Sequence, residues 1–303
     1  MSPGVAKAGF LVRITEEAVR TGLIDDFLAA KRAAGASEHT LSGYLAAWQA
    51  FAKWHQETTG QPLDPAAVSS LDAAEFRRHL QAMLKPSSVN TRLHQIKAVF
   101  AWAAESGAIE RDPLRDLRQV PEGEQPVRTL DRRAVAALLR EAQRGGGVRD
   151  VALITLLAQA GLRITEALSL VWDDVIIRER SGSVTVRKGK GGKTRTVPLT
   201  LTARTALTAW REARGAASGE RVFPIGVRAV QKALDRYARR AGIEGRVTPH
   251  MFRHTFCKAL VDAGESLDRV AVLAGHNSLN TTARYTKPTE DDLERAVSKL
   301  EWV

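Results

Sequence analysis

One cysteine, Cys257, stands among 303 residues, beside three methionines and three tyrosines. A lone cysteine excludes a disulfide framework within the chain and any multi-cysteine zinc site. Its apolar helical surroundings read as packing. No apolar run approaches the ~18 residues that a membrane span needs, and Met1–Leu11 shows no signal-peptide pattern. The expectation is therefore a cytoplasmic chain with no membrane partner. No internal repeat is evident. Acid is scarce relative to base: 34 Asp and Glu against 45 Lys and Arg leave a net charge of +11. Such an excess favours a polyanionic partner, because cationic contacts release counterions from a nucleic-acid backbone.

What is present suits a folded protein. The chain is 44% hydrophobic and 26% charged, which excludes disorder as its main state. Its length accommodates two domains. Residues 15–111 read as all helical. Ser37 caps a helix with Leu41, Tyr44, Leu45, Trp48, Phe51, Ala52 and Trp54 at mostly helical spacing. Leu71–Leu84 and a stretch opened by Pro86 follow, so that four helices close a small bundle. Residues 112–127, with Pro113, Pro121 and Pro126, read as an exposed, extended interdomain linker. Residues 128–303 are mixed. Helices are expected at Asp131–Arg144, Val148–Ala160, Thr165–Leu170, Leu201–Ala213, Val227–Ala241, His250–Ala263, Leu267–Ala274 and Asn280–Thr286. Strands are expected at Val171–Arg178, Ser183–Lys188 and Thr194–Leu199, with a hairpin turn at Gly189–Gly192. The fold class is mainly α with a small antiparallel β-sheet.

Three short boxes carry chemistry. They are Gly161-Leu162-Arg163-Ile164-Thr165-Glu166, His250-Met251-Phe252-Arg253, and the run from Gly275-His276 to Tyr285. A basic turn with Lys190 lies between the first two. A DNA phosphodiester resists attack because it is anionic and its leaving alkoxide is poor. Arg163 and Arg253 offer planar, permanently charged forks to non-bridging oxygens. His250 and His276 donate hydrogen bonds or move protons near neutral pH. Lys190 is the candidate general acid for the leaving oxygen, with Lys188 and Lys193 as alternatives. Tyr285 is the candidate nucleophile. Free phenol, with a pKa of ~10, is ionised to only about one part in a thousand at pH 7, so neighbouring cations matter.

These boxes, in this order, resemble the tyrosine recombinases of the phage-integrase and Xer type. Arg163, His250, Arg253, His276 and Tyr285 match the family's catalytic positions, Tyr285 following His276 by nine residues (285 − 276). Lys190 aligns with the family's hairpin lysine. Ser37–Tyr44 resembles the opening of the core-binding helices. The resemblance implies an N-terminal SAM-like domain and a C-terminal α+β catalytic domain, forming a C-shaped clamp on double-stranded DNA. It implies strand exchange through a 3′-phosphotyrosyl bond, with neither metal nor other cofactor. It further implies a monomer when free and a homotetramer in the synaptic complex, coupled by a C-terminal segment. That segment carries Leu293, Ala296, Val297 and Leu300. Accessory proteins or a partner recombinase, and the DNA site itself, stay open.

Other readings exist for the same residues. His250 and His254 lie four apart, as in zinc sites, but no glutamate completes such a motif and Arg253 disfavours a cation. His254 reads as structural, and Glu166 as a residue that orients Arg163. Arg92, Lys97, Arg187, Lys188, Lys193 and Arg195 are candidate DNA contacts, against a default of solvated surface charge. A topoisomerase-like cutter and a regulator without activity are alternative functions.

Overall fold

The computed structural model describes residues 22–123, 127–187, 194–215, 217–276, 278–283, 285–286, 293–294 and 297–298. The chain divides into two compact units, residues 1–124 and 125–303.

The first unit is helical: α1 (Gly22–Ala33), α2 (Glu38–Thr59), α3 (Ser70–Met83) and α4 (Pro86–Glu105). The starts of α2, α3 and α4 have local causes. Ser37 Oγ accepts from the Thr40 N–H. Ser69 and Asp72 form a reciprocal capping box. Pro86 occupies the first turn of α4, where a missing N–H leaves nothing unsatisfied. The apolar stripes meet in an aromatic core. Phe51 stands edge-on to Phe76 at 4.9 Å and to Phe100 at 5.7 Å. Trp48, at the same centre, is wholly buried.

The expected linker begins later than its composition suggests. Leu114 is fully buried in the core of the first unit. Asn90, also buried, imitates a peptide group. Its Nδ2 donates to the Val120 carbonyl at 2.9 Å, and its Oδ1 accepts from the Val120 N–H at 2.8 Å. Lys97 Nζ donates to the carbonyls of Arg115 and Leu117, and Arg77 donates to that of Arg118. Prolines excluded helix and strand here, as expected. Side chains from α3 and α4 then supplied the partners that a ladder would have given. Residues 112–122 thus pack on the bundle rather than hang as an extended strap.

The second unit contains α5 (Arg132–Gly145), α6 (Gly147–Ala160), α7 (Ile164–Ser169), a 3₁₀ turn (Trp172–Asp174), β1 (Val175–Ile177), β2 (Gly182–Val186), β3 (Arg195–Pro198), α8 (Leu201–Arg214), α9 (Val227–Arg240), α10 (Pro249–Asp262), α11 (Leu267–Ala274) and α12 (Leu279–Ala283). α6 is apolar nearly all round and is buried from Ala152 to Leu157, as such a helix must be. The three strands form an antiparallel sheet in the order β1-β2-β3. Val175 faces Val184, and Val184 faces Val197, so all three valines enter the core together.

The expected strand from Val171 to Arg178 is only partly a strand. Asp174 Oδ2 accepts from the Val171 N–H and draws residues 172–174 into the 3₁₀ turn, leaving Val175–Ile177 as β1. The helix expected through Thr286 stops at Ala283, with short i→i+3 bonds carrying the chain to Tyr285 and Thr286. The turn expected at Gly189–Gly192 lies outside the described residues, as do Ala296 and Leu300. Leu293 and Val297 are exposed.

Leu114→Ala should lower the stability of the first unit by ~2–5 kcal/mol in urea titration, the cost of emptying a packed leucine site. A change below ~0.5 kcal/mol would return the segment to the status of a loose strap.

Candidate active site

α6 ends on Gly161, whose φ of +60° is left-handed. A Cβ there would lie 2.2 Å from the Phe256 ring, so both the turn and the close approach demand glycine. The turn leaves Arg163 extended at the head of α7. Its backbone N–H and Nη1 donate to the Glu166 carboxylate at 2.9 and 2.8 Å. Arg195, on β3, donates to the same carboxylate through Nη1 and Nη2 at 3.1 and 2.7 Å. Four hydrogen bonds fill a carboxylate's acceptor capacity. Burial alone raises the Glu166 carboxyl. Hydrogen bonds from Arg195 and from Arg163, together with the charge of Arg195, outweigh burial and hold it below the usual range.

The second element is α10, begun by Pro249. Spacings of three and four place His250, Arg253, His254 and Cys257 along one helical face. Arg253 is 1% exposed. Its Nη1 donates to the Gly161 carbonyl at 2.7 Å, while its Nη2 is buried with no partner among the described residues. Burial, then repulsion from Arg163, lowers Arg253 to about 10, which still leaves it cationic at neutral pH. A buried guanidinium with an idle donor is a costly arrangement that an incoming anion would relieve.

The third element is the loop after α11. Gly275, with φ +68°, ends that helix. Arg163 Nη2 donates to the Gly275 carbonyl at 3.2 Å, and Arg195 Nε donates to the Leu273 carbonyl at 3.1 Å. His276 follows directly. Its Nδ1 is 2.8 Å from Oγ1 of Thr282, which is wholly buried on α12. Burial first, then Arg253, Arg163, Arg195 and His250, push His276 down to about 4. The imidazole is therefore neutral at working pH. A neutral imidazole whose Nδ1 accepts from the Thr282 hydroxyl would carry its hydrogen on Nε2, leaving that nitrogen as a donor.

Tyr285 closes the site. It is 3% exposed and packs with Phe256, Cys257, Val270 and Ala274. Its Oη lies 2.6 Å from His254 Nδ1, and its ring is near-parallel to that of His276 at 6.3 Å. The His250 and His254 rings stand 4.3 Å apart. Cys257 is buried, and its thiol is raised by that burial.

Arg163, His250, Arg253, His276 and Tyr285 thus belong to one connected cluster. Lys188, Lys190 and Lys193 lie outside the described residues. Arg195, expected on the DNA-contacting surface, has its side chain 10% exposed inside this cluster. Arg187 pairs with Asp174 and keeps 63% of its side chain exposed. On α4, Arg92 donates to the Ala46 carbonyl and Lys97 to the two carbonyls named above. Three participants escaped the sequence reading: Arg195 as a partner of Glu166, Thr282 as the partner of His276, and His254 as the contact of Tyr285. Only Thr282 had a usable signal, its position three residues before the tyrosine on the same predicted helix.

The low His276 pKa has a stability consequence of definite sign. Between pH 6.5 and about 4 the unfolded chain binds a proton that the folded chain refuses. The contribution is complete above pH 6.5 and is lost as pH falls towards 4. The denaturation midpoint of His276→Gln should therefore fall less steeply than that of the native chain across this interval. Parallel pH dependences would contradict a neutral His276.

Comparison with known proteins gives matches along most of the chain. Residues 24–107 match the "Phage integrase, N-terminal SAM-like domain" profile, and residues 128–291 match "Phage integrase family". The chain is 34% identical over 275 residues to "Tyrosine recombinase XerC" of Xylella fastidiosa, covering 87% of this chain and 91% of that protein. It is 35% identical to the protein of the same name from Rhodospirillum centenum, covering 88% and 82%. In fold it is similar to XerH site-specific recombinase bound to palindromic difH substrate. The TM-score is 0.74 at 20% identity, over 91% of this chain and 83% of that one. A lambda integrase dimer bound to a COC′ core site gives 0.70 at 17% identity, over 88% and 94%. With more than half of its length under the catalytic profile, and with relatives at a third identity over most of their own length, the chain belongs to the phage integrase family.

Proposed function

We propose that the chain is a site-specific recombinase that cuts and rejoins double-stranded DNA through Tyr285. The observation that carries this reading is the idle, buried Nη2 of Arg253, within a cluster that also holds Arg163, a neutral His276 and a phenol. Such a cluster is incomplete without an anion of phosphate geometry. Arg163 and Arg253 clamp the non-bridging oxygens of the scissile phosphate, and His276 Nε2–H adds a neutral donor. Tyr285 Oη forms a bond to phosphorus as its proton passes to a neighbouring histidine, with His250 assigned to that region. The bond from phosphorus to the 5′ oxygen breaks, and Lys190 protonates the departing alkoxide. A 5′-hydroxyl from a partner duplex then attacks the 3′-phosphotyrosine and releases Tyr285. Bond energy is kept in the linkage, so the cycle needs neither ATP nor a catalytic metal.

Exchange between two duplexes calls for four protomers, hence a homotetramer assembled on DNA from monomers. The C-terminal segment is assigned to contacts between protomers. Among the basic residues, Arg187, Lys188 and Lys193 remain the DNA-contact assignments nearest the basic turn, with Arg92 on α4. Cytoplasmic action on integrated, transposed or dimeric DNA is consistent with the net positive charge. Among the described residues no helix is long and apolar enough to cross a membrane.

A nicked suicide duplex in EDTA should yield a denaturation-resistant protein–DNA adduct with the native chain and none with Tyr285→Phe. Arg163→Ala or Arg253→Ala should slow adduct formation by at least ~10²-fold. An adduct that persists in Tyr285→Phe would remove the nucleophile from this account. Relaxed topoisomers without exchanged flanks would replace recombination by a topoisomerase-like reaction.

A further inference from the structure

Arg195 stands apart from the other basic residues near the hairpin. Its side chain is 10% exposed, and every hydrogen bond found for it is directed into the protein. Those bonds reach two separate elements. Nη1 and Nη2 hold Glu166 in a bidentate pair, and Nε holds the Leu273 carbonyl at the end of α11. The approach is close enough to constrain sequence. A Cβ on Gly275 would lie 2.7 Å from Arg195 Nη1, so the glycine admits the guanidinium.

We propose that Arg195 is a positioning residue of the transesterification site. On this view it fixes Glu166 and the end of α11 with the residues that lead to His276 in one frame, so that Arg163 and His276 address the same phosphate. This rests on the recombinase reading above. Glu166 is the shared member. It takes two bonds from Arg163 and two from Arg195, and Arg163 in turn holds the Gly275 carbonyl. Without Arg195, the carboxylate keeps one cationic partner, and the loop before His276 keeps one of its two side-chain tethers. A shift of ~1 Å in such a frame costs about 10²-fold in rate. Arg195 also adds to the positive field that, after burial, keeps His276 neutral. Because it lies on β3, five residues after Lys190 (195 − 190), it also ties the strand that leaves the basic turn to the phosphate-binding frame.

Arg195→Gln and Arg195→Lys separate this role from a DNA contact and from a mere prop for folding. Lysine keeps the charge but cannot reproduce the bidentate fork. Three readouts are needed on folded protein: adduct formation at saturating suicide duplex, the salt dependence of duplex binding, and the His276 titration followed by NMR. The proposal expects both variants to bind duplex with the native salt slope and to cleave ~10²-fold more slowly. It also expects His276 to titrate above its native value in Arg195→Gln and near it in Arg195→Lys. If Arg195→Gln does not fold, Arg195→Lys carries the cleavage and binding tests alone.

Native cleavage in either variant overturns the proposal. So does a salt slope reduced by about one with unchanged cleavage once bound, which marks a phosphate contact. If the native chain forms no adduct, the recombinase reading fails instead. The NMR titration still decides whether Arg195 sets the state of His276.

Discussion

The Glu166 carboxylate is the interaction on which the site depends. Buried and ionised, it accepts from Arg163 and from Arg195, and those two residues reach the carbonyls of Gly275 and Leu273. An unpaired carboxylate at that depth would cost several kcal/mol, and an unpaired cluster of guanidiniums would repel itself. Each defect offsets the other, though not completely. Arg163, Arg195 and Arg253 face one carboxylate, so the cluster keeps an excess of positive charge. Burial first, and that excess second, keep His276 neutral and lower Arg253 to about 10, and one buried Arg253 donor is left without a partner among the described residues. The proposed reading supplies the offsetting negative charge from a phosphate.

The fold delivers this arrangement by bringing three distant segments to one point. Gly161 stops α6 and frees its own carbonyl for Arg253. β3 brings Arg195 across the sheet, and α11 ends at Gly275 so that its last carbonyls meet both arginines. Tyr285 arrives from the next turn and packs under His276. Its hydroxyl rests on His254, and the residue is buried.

Much of this was legible in the chain. Periodicity located most of the helices because they bury one stripe, and a cap such as Ser37 acts locally. The box from His250 to Arg253, which the structure places in the candidate site, was legible as a motif because helix geometry ties residues at that spacing. Tertiary choices were not. Arg195 sits in a run of basic residues that reads as surface, and its inward course depends on Glu166 lying opposite. Leu114 sits between prolines and charges, and its burial depends on the bundle it meets. Asp174 turned an apolar β-like stretch into a 3₁₀ turn through a single hydrogen bond to Val171. In each case the deciding partner is a side chain whose direction the local pattern does not carry.

The central claim is that Glu166 and Arg195 act as one unit on the phosphate-binding groups. A double-mutant cycle on adduct formation measures this directly, using Glu166→Gln, Arg195→Gln and the pair together. The account predicts strong non-additivity, with the double variant cleaving within about threefold of the slower single variant, because removing either partner already releases the frame. Rate losses that multiply, as for independent sites, would contradict it.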